Sequence, residues 1–119
     1  MTTPNFTYRP DEPLSPALSQ SDLEQIEAKA AEAAHVLRLL GNDRRLLVLC
    51  HLIGAREMTV NTLAETIGIS QSALSQHLAK LREDGIVAYR REGQTLHYRV
   101  ADPRIEQLIM TLKTLFCPD

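Results

Sequence analysis

The chain has 119 residues, 44% of them hydrophobic, and a net charge of −2; this suffices for one small domain with a modest core and leaves no room for a second. No apolar run approaches the roughly 20 residues of a membrane span, and the opening MTTPNFTYRP has neither the basic nor the apolar region of a secretory signal. The expectation is a soluble, cytoplasmic protein with no membrane partner, whose two cysteines, Cys50 and Cys117, rest as thiols because two are too few for a disulfide scaffold.

Residues 1–20 hold four of the six prolines and little apolar periodicity, so they are expected to form a flexible tail ahead of a single domain over 21–119. Ser21 with Glu24 has capping-box spacing. Leu23, Ile26, Ala30, Ala33, Leu37 and Leu40 then recur at helical intervals up to Gly41. Such a narrow, alanine-rich stripe permits close approach of another helix. Asn42 is placed to cap a second, mostly apolar helix over DRRLLVLCHLI, ending at Gly54.

After the connector AREM, Thr59 caps a short helix that stops at Gly68, and Ser70 at once caps another, QSALSQHLAKLRED, with Leu74, Leu78 and Leu81 on one face. Two short helices joined at GIS make a helix-turn-helix. The period then drops to two: IVAYRR and TLHYRV flank EGQ, read as a three-residue hairpin loop. Asp102 and Pro103 open a last helix with Ile105, Leu108, Ile109, Leu112, Leu115 and Phe116 at its apolar positions. The fold class expected is mainly α with a small β-hairpin, a winged helix-turn-helix, in which the first and last helices offer a dimer surface.

The second helix of the pair shows Gln71, Ser72, Ser75, Gln76 and Lys80 outward while burying leucines. Short hydroxyls and amides fit a major groove and bond base edges or phosphates, and the first turn, beginning at Ser70, offers unpaired backbone N–H groups to phosphate. Arg90 and Arg91 on the hairpin and Gln94 near its tip form a wing suited to the DNA backbone. Overall charge is negative, but residues 70–100 carry five basic against three acidic side chains, a local +2. Enzymatic chemistry is not expected: there is no glycine-rich phosphate loop and no His-Glu-x-x-His, and the serines of SQSALSQ lack a paired base and acid. No cofactor is called for.

The stretch SQSALSQHLAKLREDGIVAYRREGQTLHYRV resembles the recognition helix and wing of ArsR-type winged-helix repressors, and the similarity runs from about Leu37 to Phe116. The resemblance implies a homodimer, paired through its first and last helices, that represses transcription at a double-stranded DNA operator until an inducer binds. It implies DNA contacts at Gln71, Ser72, Ser75, Gln76 and His77, assisted by Arg90, Arg91 and Gln94. His77 sits beside Leu78 and is equally suited to packing between helices.

Many members of that family sense metals through a Leu-Cys-x-Cys pair on the second helix; here the text is LCHL, and Leu52 stands where the second thiolate belongs. A second family site uses Asp and His from the last helix. Asp102 is present, but Arg104 replaces the histidine, and 103–119 contain none. Structural zinc takes about four N or S ligands, and the adjacent Cys50 and His51 point about 100° apart on a helix. No metal site is expected. One cysteine on the second helix and one at the end of the last is similar to the sulfide- and persulfide-sensing branch of the family (the SqrR and BigR type), where two thiols react with reactive sulfur species to form a di- or polysulfide that lowers DNA affinity. The resemblance implies Cys50 and Cys117 as the sensing pair. A metal-responsive repressor and a winged-helix module that binds protein are the alternatives.

Overall fold

The computed structural model describes residues 10–11 and 17–117. Most of the expected tail lies outside the described residues, as do Pro118 and Asp119. Five helices and a small sheet follow one another as α1 (Gln20–Leu40), α2 (Asp43–Ala55), β1 (Met58–Thr59), α3 (Val60–Ile67), α4 (Gln71–Glu83), β2 (Val87–Glu92), β3 (Thr95–Val100) and α5 (Pro103–Phe116). The expected mainly helical winged architecture is present.

Side-chain caps set the helix starts. Ser19 begins α1: its Oγ accepts from the Asp22 N–H at 3.0 Å, and its own N–H donates to the Asp22 carboxylate at 2.9 Å. The box expected at Ser21 and Glu24 is thus found two residues earlier. A serine with an acid three positions on occurs twice in SQSDLE, and spacing cannot rank the two. Asn42, Thr59, Ser70 and Asp102 cap the other four helices as expected, each accepting from a backbone N–H in the first turn.

Two stops differ from the sequence reading. Gly54 stays helical, and α2 runs on to Ala55, closed by Arg56 at φ 72°. The hairpin loop has two residues rather than three: Glu92 pairs with Thr95, leaving Gly93 and Gln94 outside the ladder. Gly93 takes φ 64° at the first loop position, where a type II′ turn requires a residue without a Cβ.

The connector AREM hides a strand. Met58 lies opposite Tyr98 and Thr59 opposite His97, so the sheet order is β1-β3-β2, antiparallel throughout. Two residues carry no readable period, which is why periodicity missed it.

The core gathers Val48, Leu49 and Leu52 from α2, Leu63 from α3, Leu74, Leu78 and Leu81 from α4, Ile86, Val87 and Tyr98 from the wing, and Ile105 and Ile109 from α5. In α4 the three leucines share one face, so burying them turns the polar residues between them to solvent. α1 is the opposite case. Only Leu40 is buried in it, while Leu23, Ile26 and Leu37 are 40%, 50% and 59% exposed. α5 likewise leaves Met110, Leu115 and Phe116 exposed. No described helix is long and apolar enough to cross a membrane.

Candidate nucleic-acid interface and thiol groove

Gln71, Ser72, Ser75, Gln76 and Lys80 lie exposed along one side of α4. Ser70 is exposed at its start, but its Oγ is occupied in accepting the Ala73 N–H at 3.0 Å. His77 is half-buried, and Arg45 of α2 donates its Nε–H to His77 Nδ1 at 3.2 Å. That bond requires an unprotonated ring nitrogen. Burial, followed by the charges of Arg45 and Arg44, holds the imidazole below its ordinary pKa. Arg45 also reaches the Leu39 carbonyl at 3.4 Å, so one guanidinium joins the end of α1 and the start of α2 to the middle of α4. Near the far end, His35 of α1 bonds the Asp84 carboxylate at 2.8 Å.

The wing is fastened to α4 by residues that the sequence reading passed over. Arg82 stacks on the Tyr89 ring at 5.3 Å and donates to the Tyr98 hydroxyl at 2.9 Å, and the two tyrosines face each other across β2 and β3 with ring centroids 5.3 Å apart. Their facing positions were available in the sequence once the hairpin register was fixed. Arg90, Arg91 and Gln94 are all exposed. Arg90 is engaged, however: Nε and an Nη donate to both Glu57 carboxylate oxygens at 2.8–3.1 Å, and the other Nη donates to Glu92 at 3.1 Å. These bonds raise the Arg90 pKa and lower that of Glu57.

The two thiols come together. Leu46, Cys50 and Ile53 of α2 face Ile109, Leu112 and Cys117 across an almost wholly apolar groove of about 550 Å³. Both cysteines are free thiols with exposed side chains. α2 buries Val48, Leu49 and Leu52, so Cys50 falls on its uncovered flank. Its apolar walls push the Cys50 thiol above its ordinary pKa, and the nearby Cys117 sulfur adds to the rise. Leu52, at the position of a second metal thiolate, is fully buried. Among the described residues no three His, Cys, Asp or Glu side chains cluster as metal ligands.

The family model for bacterial regulatory proteins of the arsR family matches residues 42–89. YgaV, an HTH-type transcriptional regulator of Escherichia coli K12, is 36% identical over 98 residues, spanning 82% of this chain and 99% of its own. The chain belongs to the ArsR family. This ArsR-family protein is also 41% identical over 96 residues to the transcriptional activator HlyU of Vibrio cholerae, covering 81% of this chain and 88% of that one. The crystal structure of the transcriptional repressor BigR from Xylella fastidiosa is similar with a TM-score of 0.75 at 39% identity, covering 82% of this chain and 98% of that one. These relatives are transcriptional regulators rather than enzymes, and this ArsR-family chain is a transcriptional regulator with a winged-helix fold.

Proposed function

We propose that this protein is a cytoplasmic, homodimeric repressor whose hold on operator DNA weakens when reactive sulfur species bridge Cys50 and Cys117. The observation that carries this reading is the shared groove: two free thiols, 67 positions apart in sequence, line the same apolar cleft between α2 and α5. The likeness to the transcriptional repressor BigR supports the repressor part of the reading. The exposed apolar residues of α1 and α5 are the surface a second copy would cover, so that two α4 helices enter successive major grooves about 34 Å apart.

The chemistry balances with a persulfide as the only oxidant. The Cys50 thiolate attacks the outer sulfur of R–S–SH and expels RS⁻, leaving Cys50–S–SH. The Cys117 thiolate then attacks the Cys50 Sγ, forming the Cys50–Cys117 disulfide and releasing HS⁻. If Cys117 has itself been converted to Cys117–S–SH, attack on its Sγ by the Cys50 perthiolate gives a trisulfide and HS⁻. Inserted sulfur lengthens the reach beyond the roughly 4.4–6.8 Å between Cα atoms that a direct disulfide demands.

Closing the loop acts mainly on the unfolded chain and does not by itself release DNA. Release needs a difference between the two states of the dimer. A bridge ties the end of α5 to α2, and α2 holds α4 through Arg45 and His77; a coupling of about 1–3 kcal/mol changes affinity roughly 5- to 150-fold. The test is duplex binding before and after polysulfide treatment. Wild type should lose affinity by a factor in that range, while Cys50→Ser and Cys117→Ser stay bound. A normal response in both variants overturns the reading.

A further inference from the structure

The outer face of the wing carries a charge arrangement that a DNA-binding surface does not need. Residues of a strand alternate between faces, so Arg90 and Glu92 of β2 share one face with His97 of β3, while Arg91 points to the other. Glu57 lies just before β1 and reaches Arg90 across β3. Its carboxylate grips the guanidinium through Nε and Nη, Glu92 takes the remaining Nη, and His97 sits 3.9 Å from an oxygen of each acid. Two carboxylates around one guanidinium make the trio net negative, on an element expected to meet phosphate, and Arg99 of β3, exposed on the same face, adds a positive charge that also acts on Glu57. Arg91, exposed, has no ion pair among the described residues.

We propose that Glu57 is a specificity-determining residue that withholds Arg90 from the DNA backbone, so that β2 offers one arginine, Arg91, where its sequence shows two. Phosphate contacts supply affinity without regard to sequence. A protomer that keeps one of them occupied binds all DNA less tightly and leaves more of the discrimination to α4. Arg90 meets phosphate only by exchanging one anion for another, with Glu57 left behind to repel the backbone. The proposal rests on the wing meeting DNA, and its test separates the two.

Binding to a random-sequence duplex is measured across a salt series for wild type, Glu57→Gln, Arg91→Gln and the double variant Glu57→Gln with Arg90→Gln, with thermal melts to establish that each is folded. These residues lie at the surface, outside the core. Each phosphate contact contributes about 0.9 to the slope of log affinity against log salt. Glu57→Gln should bind more tightly and steepen the slope by about 0.9 for each protomer; the double variant should lose that gain, and Arg91→Gln should flatten the slope by a similar amount. If Arg91→Gln flattens the slope while Glu57→Gln leaves binding unchanged or weaker, the role given to Glu57 is wrong. A gain that survives in the double variant also overturns it, because Glu57 would then act by its own repulsion. If Arg91→Gln has no effect either, the wing does not meet DNA and the interface reading falls with the proposal.

Discussion

α4 and α5 are nearly equal in length, 13 and 14 residues, and each buries one face against the same core. Their outer faces have opposite chemistry. α4 turns amides and hydroxyls outward, a surface that is stable in water and able to bond DNA. α5 turns out Met110, Leu115 and Phe116 and forms one wall of the thiol groove, an apolar surface of the kind that marks an interaction site. Under the proposed function, the helix finished in the monomer reads DNA, and the helix left unfinished is where assembly and regulation enter.

That contrast is broken most strongly on α5. Met110→Glu would bury an unpaired carboxylate in the proposed dimer surface at about 3–5 kcal/mol. Analytical ultracentrifugation should show the population shifted to monomer while the monomer's own urea midpoint hardly moves; an unchanged dimer would remove α5 from the interface. On α4 the matching change is Gln76→Ala, which should leave the dimer intact and cost about 1–3 kcal/mol of discrimination between operator and random duplex. Equal loss on both duplexes would make Gln76 a backbone contact instead.

Arg82→Ala removes a cation–π contact and a hydrogen bond between α4 and the wing, together worth about 1–2 kcal/mol. Urea unfolding should register that loss of stability, and no change would mean that the wing is held by its core residues alone. The smallest effect concerns His77. Its pKa is depressed in the folded state, so from the ordinary imidazole value of about 6.5 downward the unfolded chain takes up a proton that the native chain resists. Stability from this group is therefore present above that pH and lost as pH falls through the window to the lower native value. His77→Gln should flatten this part of the stability profile, and an unaltered profile would place the acid sensitivity elsewhere.

The two helices were also unequally legible. α4 could be read almost whole from sequence, since Ser70, the leucine spacing and the closing turn are local signals that agree with one another. Its tertiary ties could not. Arg45 meeting His77, and Glu57 meeting Arg90, join residues 32 and 33 positions apart, and neither pair follows a period. The end of α2 was misplaced because glycine usually stops a helix, whereas here Gly54 stays within it and Arg56 takes the left-handed conformation. Cys50 shows the limit most clearly. A helix that is apolar on most sides does not rank its faces in sequence, and only the packing of Val48, Leu49 and Leu52 inward shows which side stays open.

The central claim, that Cys50 and Cys117 act as one sulfur-reactive pair, is tested most directly by intact-protein mass spectrometry with peptide mapping after polysulfide treatment. The account predicts a Cys50–Cys117 cross-link within one chain, as the disulfide or with added sulfur in whole-atom steps, absent from Cys50→Ser and Cys117→Ser. Independent adducts on the two cysteines with no cross-link between them would contradict it.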